Sequence, residues 1–473
     1  MSTDDAWTAS SNDALRISLV TPSAKGLNTI SSFPPKFTYP IFGDDEQIFG
    51  YQNLKINLQY NASDMRPNLA VTYSKKFKAV GETEAADIHD ILQDYLPEVA
   101  FQRANDFEAA IKRVTDDWTP PGELATTFTT EAGTFEIWRG NLEDPAVKQL
   151  VNRVQILSTL YIEGGSFIEV DEPEADQWTI FFLYQKKPAA TEGGRSSYVF
   201  AGYSSLFRFF FYQAPTPPAS PPKENGEAGK ELAIGNGDFD LSQLPCRTRI
   251  SQFLLIPPFQ QKGLGPKFYE FIFQYYLKHR PTVELTVEDP NEAFDDMRDI
   301  CDLHFLRQMP EFNALHIDTS VVIPKDGPAP RNIVSREAME AVRRKAKIAP
   351  RQFARVLEMH LMSKLPESVR PGISPEKSAV KATREQKHEY NLWELMVKQR
   401  LYRHNRDTLG QLEIDERGNK LNEVVSSVEF DFARLLLKAE KQYPADVANG
   451  KRKLDETDEA PASKKARVET EEE

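Results

Sequence analysis

Hydrophobic and polar residues recur along this chain with two periods, and the change of period divides it into regions. LKINLQYNA and NLAVTYSKKF alternate with a period near two, as half-buried strands do. DIHDILQDYL instead brings Ile88, Ile91, Leu92 and Tyr95 together at helical spacing. The stretch 14–125 therefore reads as a small α+β domain, preceded by a polar, flexible leader at 1–13. SFIEVD, WTIFFLYQ and YVFAGYSSLFRFFFY are β-rich runs separated by polar connections, which predicts an antiparallel meander. QAPTPPASPPKENGEAGKELAIGNGD is too rich in Pro, Gly and charge to build a core, so 213–240 is expected to be a disordered insertion.

The sheet resumes at RTRISQFLLI, and TVELTVED places Val283, Leu285 and Val287 on one strand face. Between them lies IPPFQQKGLGPKFYEFIF, which passes from strand to glycine-rich loop to helix, so the whole is a βαβ crossover. We assign 126–290 to this core. Beyond Pro290 the period is helical. NEAFDDMRDICDLHF sets Phe294, Met297 and Cys301 on one face, which makes Cys301 a core residue. SREAMEAVRRKAKIAPRQFARVLEMHLMSKL reads as two helices divided near Pro350. A helical domain over 291–440 and a solvated tail over 441–473 complete a mixed α+β architecture.

Charge changes the picture only in part. The 473 residues carry 71 Asp and Glu against 58 Lys and Arg, a formal charge of -13. That balance disfavours direct nucleic-acid binding, which needs a local surplus of cations, and suits a basic partner or simple solubility. Two cysteines, Cys246 and Cys301, lack metal-ligand spacing, so neither a disulfide scaffold nor a metal site is expected. The opening MSTDDAWTASSND is too acidic for a signal peptide, and no apolar run approaches the ~18 residues of a membrane helix. The tail KRKLDETDEAPASKKARVETEEE sets Lys451-Arg452 and Lys464-Lys465 around an acidic spacer, the layout of a bipartite nuclear-import signal. We expect a protein of nucleus and cytoplasm, with no membrane contact.

The glycine loop has three readings beside an ordinary strand-to-helix turn. A Walker loop needs four residues between its glycines followed by Lys-Ser or Lys-Thr, which is absent. A dinucleotide fingerprint needs a third glycine where Phe268 stands. The (Gln/Arg)-x-x-Gly-x-(Gly/Ala) loop of acetyl-coenzyme-A-dependent acetyltransferases is met by Gln260, Gly263 and Gly265. Such a loop opens onto the amides and partial positive charge of a helix N-terminus, where a pyrophosphate is held. Pro266 is tolerated in the first helical turn, and Phe268, Phe271, Ile272 and Tyr275 form the buried stripe behind it.

YPIFGDDEQIFGYQNLKI, YIEGGSFIEVD, RISQFLLIPPFQQKGLG and ELTVEDPNEAF, taken together and in this order, resemble the catalytic subunits of type B histone acetyltransferases, of the GNAT superfamily. The resemblance runs with interruptions from Phe33 to Leu365. It implies a GNAT core with a mixed sheet and flanking helices, and transfer of acetyl from acetyl-CoA to tail lysines of newly made histone four. It implies that the backbone of Phe253, Leu254 and Leu255 pairs with the pantetheine arm. Gln260, Gln261, Lys262, Gly263, Leu264, Gly265 and Pro266 would wrap the pyrophosphate, and Asn291 would approach the cofactor. Glu288 takes the position of the family's general base, with Asp289 beside it and Glu163 as a second carboxylate. Asp44, Asp45 and Glu46 would face the basic tail, and Phe207, Arg208 and Phe209 match a histone-contacting segment. Trp178 would wall the lysine channel. Arg208 is an odd member of an acidic groove. A WD40-repeat histone chaperone is the implied partner. Two other readings remain at this point: an acetyltransferase for another protein or amine, and a histone-binding subunit without turnover.

Overall fold

The computed structural model describes residues 5–114, 117–188, 197–211, 244–324, 327–373 and 381–444. The proposed insertion at 213–240, both basic pairs of the tail, and residues 1–4 lie outside the described residues. The chain divides into two compact units, Met1–Asn291 and Glu292–Glu473.

In the first unit the strands form two main sheets, beside two small two-stranded ones. The N-terminal sheet holds β1 (Leu15–Ser23), β2 (Gly26–Phe33), β3 (Lys55–Asn61) and β4 (Pro67–Thr72) in the order β2-β1-β3-β4. The central pair β1/β3 is parallel and its neighbours are antiparallel. Helix α1 (Ala104–Lys112) seats Phe107 and Ile111 against Val20 of β1. From residue 5 on, the expected leader belongs to this fold. Thr8–Ser10 pairs with Gln47–Phe49, and Ser11 is fully buried, donating to the Glu46 carbonyl at 2.8 Å. Its polar text conceals this because partner strands and a buried hydroxyl, not apolar periodicity, hold it.

The second sheet follows sequence order: β5 (Glu123–Thr130), β6 (Gly133–Asn141), β7 (Trp178–Lys187), β8 (Ser197–Phe210), β9 (Cys246–Leu255) and β10 (Thr282–Val287). All neighbours are antiparallel except β9/β10, which are parallel and joined by the crossover helix. This is the mixed sheet with flanking helices expected of a GNAT core. Helices α2 (Pro145–Val154) and α3 (Ile156–Tyr161) lie between β6 and β7, and α4 (Leu264–Lys278) is the crossover helix. Ile180, Phe181, Phe182, Leu183 and Tyr184 of β7 are all fully buried, so this central strand is covered on both faces. On α4 the buried set is wider than the predicted stripe. Phe268, Tyr269, Ile272, Phe273 and Tyr276 are buried, while Phe271 and Tyr275 are only half-buried.

SFIEVD is not a strand. Residues 165–169 have no regular structure, and the run bonds to side chains instead of a ladder. The Ile168 amide donates to Gln155 Oε1 at 3.3 Å, and the Ser166 carbonyl accepts from Gln252 Nε2 at 2.6 Å. Ile168 and Val170 are buried, which is why the run looked like one edge of a sheet.

The second unit is built from helices, chiefly α5 (Glu292–Arg307), α6 (Arg336–Ala346), α7 (Pro350–Lys364), α8 (Arg384–His404) and α9 (Ile414–Gln442). Pro350 opens α7, where its missing amide is harmless, and Thr383 with Gln386 forms a reciprocal cap on α8. Cys301 is buried in α5, as its face predicts. Among the described residues no helix is long and apolar enough to cross a membrane, and no cluster of three or more His, Cys, Asp or Glu could hold a metal ion.

Candidate active site

The site begins where two parallel strands part. β10 pairs with β9 only along Cys246–Ile250, and the last rung is the Glu288 amide donating to the Ile250 carbonyl at 2.9 Å. Asp289 then takes φ +32°, and with Pro290 it turns the chain away. Ser251–Leu255 run on with β8 on one side and, among the described residues, no strand on the other. Opposite β8 the register skips Ser251, a bulge that bends β9 at the parting. Further along, a Cβ built on Gly202 would meet the Leu254 carbonyl at 2.1 Å, so only glycine lets β8 approach so closely there. This places Phe253, Leu254 and Leu255 on a strand edge that an extended ligand could join.

From that edge the chain enters the loop. Gln260 reaches back, its Nε2 donating to the Leu255 carbonyl at 2.7 Å. Gln261 takes φ +57° and Gly263 φ +70°, the latter as the N-cap of α4 in the left-handed region that favours glycine. Among the described residues no side chain caps the helix, so its first amides open onto the loop; Gly265 and Pro266 occupy its first turn. That arrangement fits a pyrophosphate. Lys262 does not reach over the helix end: its Nζ donates to the Pro258 carbonyl at 2.6 Å and lies 5.6 Å from the centre of the Phe259 ring.

Beside the parting strands lies an open pocket of about 520 Å³. Its wall is the irregular segment 162–174, and its floor comes from β9 and the end of β10. Glu163, Glu288 and Asp289 all line it, and so do Trp178 and Phe207. Three further carboxylates, Glu169, Glu172 and Glu174, join them. Among the described residues Arg249 is the one cationic side chain in this lining, and its Nη2 lies 3.2 Å from Glu288 Oε2. Six carboxylates around one guanidinium make a pocket suited to a cationic side chain.

Not every predicted site residue is here. Phe207 and Phe209 meet at 4.7 Å between ring centroids on the pocket side of β8. Arg208, between them, points through the other face of the sheet, donating to the Asp176 carbonyl at 2.5 Å. It lines a separate pocket with Arg139, Tyr275 and His279, so the alternation of the strand removes the odd cation from the acidic groove. Asp44 and Asp45 are exposed in a turn that does not line this pocket, and Asn291 is exposed after Pro290, also outside it. Glu46 is committed to structure. It accepts from the amides of Thr38 (2.6 Å) and Tyr39 (3.1 Å), and the Thr38 bond holds its carboxyl below the ordinary range. The sequence reading missed Arg249, Glu169, Glu172 and Glu174. The acidic density of EVDEPEAD was the available signal, obscured by reading its first half as strand.

Residues 7–163 match the family described as histone acetyl transferase HAT1 N-terminus, and residues 299–366 match fungal HAT1, C-terminal. The chain is 53% identical to a histone acetyltransferase type B catalytic subunit of Neurospora crassa, covering 99% of each chain. It is 52% identical to the subunit of that name from Pyricularia oryzae, over 99% of this chain and 100% of the relative. The one from Gibberella zeae is 51% identical over 98% of each. Together with the parted strands, the glycine loop and the acidic pocket, these matches place the chain in the family of type B histone acetyltransferase catalytic subunits: it is an acetyltransferase acting on histones.

Proposed function

We propose that this enzyme acetylates lysines in the N-terminal tail of newly synthesised, non-nucleosomal histone four, with acetyl-CoA as donor and Glu288 as general base. The observation that carries the reading is the gathering of Glu288, Asp289 and Glu163 in one acidic pocket at the parting of β9 and β10, beside the open strand edge. Acetyl-CoA, when bound, supplies an acyl thioester. The edge of Phe253–Leu255 suits an extended amide-bearing arm, and the uncapped start of α4 at Gly263–Gly265 suits its diphosphate.

A lysine with pKa ~10.4 is held neutral at pH 7 only at a cost of ~4.6 kcal/mol, so its proton needs an acceptor. Glu288, fixed by its backbone rung to Ile250, can take that proton as the amine adds to the thioester carbonyl. Asp289 and Glu163 hold the incoming ammonium in place. Trp178 and Phe207, 5.0 Å apart, offer an apolar wall to the aliphatic stem of the lysine. Attack is direct, within a ternary complex: Cys246 is fully buried in the sheet and cannot carry an acyl group. A WD40-repeat histone chaperone would present the tail during histone deposition, and the basic pairs at 451–452 and 464–465 would take the protein from cytoplasm to nucleus. An acetyltransferase for another basic protein is the second reading, since the pocket selects charge before sequence.

The test is coenzyme A release with a histone-four tail peptide. Glu288→Gln is expected to lower turnover by about a hundredfold. Unchanged turnover would remove Glu288 as the base, and a wild type idle on this peptide but active on another basic tail would favour the second reading.

A further inference from the structure

The sheet repeats one small arrangement twice. On the strands β8, β9 and β10, Arg247 lies 5.9 Å from the Phe211 ring and pairs with Glu284 at 3.0 Å. Two residues on, Arg249 lies 4.6 Å from the Phe209 ring and pairs with Glu288 at 3.2 Å. The first is an ordinary cross-strand ion pair at the closed end of β10, where Glu284 is 12% exposed. The second stands at the parting, where Arg249 and Glu288 are 34% and 39% exposed and face the acidic pocket. Arg249 is also loosely held. Among the described residues its Nε is buried with no hydrogen-bond partner, and the ring and one carboxylate oxygen are the contacts that hold the guanidinium.

We propose that Arg249 is a positioning residue, the resident counter-cation of Glu288, which holds that carboxylate until the ammonium of the substrate lysine takes its place. The inference rests on the reading of Glu288 given above. A lysine entering the pocket meets five other carboxylates and one like charge, and that like charge already occupies the carboxylate the lysine needs. Exchange of one cation for another leaves the net charge of the pair unchanged, so Glu288 is never stranded without a partner. The stacked Phe209 gives the displaced guanidinium a face on which to rest.

Two effects of opposite sign follow, which a merely structural role would not produce. Removing Arg249 makes the pocket more negative and deletes a competitor, so the peptide binds more tightly. It also leaves Glu288 unheld until the lysine arrives, so part of the complexes form with that carboxylate out of place and turnover falls. With histone-four tail peptide and acetyl-CoA, Arg249→Met in the full chain is expected to lower KM by about threefold, the scale of a half-exposed ion pair. It should lower kcat by about tenfold, as misplacement of a reacting group does. Arg249→Lys keeps the charge and should return KM towards the wild-type value. Arg247→Met, at the closed end, should change neither constant. Peptide affinity measured by fluorescence anisotropy without acetyl-CoA separates this proposal from the base assignment: it should tighten by about threefold in Arg249→Met whichever carboxylate is the base. Unchanged or weaker affinity in Arg249→Met, or the same KM shift in Arg247→Met, would overturn the proposal. Tighter binding combined with full turnover in Glu288→Gln would leave the counter-cation standing and sink the base.

Discussion

Glu358 of the helical unit and Glu288 of the acetyltransferase core show two ways of keeping a carboxylate in a protein. Glu358 is 2% exposed, and both its oxygens accept from Arg400 Nε, at 2.9 and 2.8 Å. Burial pushes its carboxyl up to about 7, with the Arg400 charge opposing, so the ion pair offsets only part of the penalty of burial. Asp299 repeats the pattern, fully buried with Arg355 Nε at 2.5 Å and Gln352 Nε2 at 3.0 Å. Glu288 is 39% exposed, has one guanidinium at 3.2 Å, and shares its pocket with five more carboxylates. Satisfied charge is structural; a surplus of exposed, like charge around a cavity fits a ligand of opposite charge.

The comparison can be broken most severely in the helical unit. Arg400→Met removes the group that opposes burial of Glu358 and is expected to cost about 3 kcal/mol in chemical denaturation. Adding Glu358→Leu should recover most of it, because the apolar pair needs no solvation. If the single change is silent, the network is not what holds that carboxylate.

A smaller effect sharpens the other side. Glu172→Gln with Glu174→Gln should raise KM for a basic tail peptide by about threefold and leave the melting temperature unchanged or slightly raised, since like charges are removed. The KM effect should fade at high salt.

The last effect is one of pH. Buried His360, beside Lys364 and Arg307, is held well below the ordinary histidine range by desolvation first and those cations second. Because its folded pKa is depressed, its contribution is complete above about 6.5 and is lost as pH falls, when the unfolded chain takes up a proton that the folded chain refuses. Stability should therefore slope by up to ~1.4 kcal/mol per pH unit below about 6.5, and His360→Phe should flatten that slope. An unaltered slope would assign it to other groups.

Much of this was legible in the text of the chain. The βαβ order, the turn at Gly263 and the division at Pro350 follow from period, from the need for a positive φ, and from the missing proline amide. Pairing partners were not legible. SFIEVD and Thr8–Ser10 exchanged places, the first reading as strand and folding irregularly, the second reading as leader and pairing, because local text does not say where a backbone bond finds its partner. The same blindness grouped Arg208 with its neighbours, although a strand sends alternate side chains to opposite faces. It also hid Arg249, whose meaning depends on Glu288, thirty-nine residues away and adjacent only through a parallel rung.

The most direct test of the central claim is the melting temperature of Glu288→Gln measured beside its turnover on one preparation. A carboxylate kept for substrate predicts turnover down by about a hundredfold with the melting temperature within about 1 °C of wild type. A melting temperature lowered by several degrees, with turnover per folded molecule preserved, would make Glu288 a structural residue like Glu358 and contradict the account.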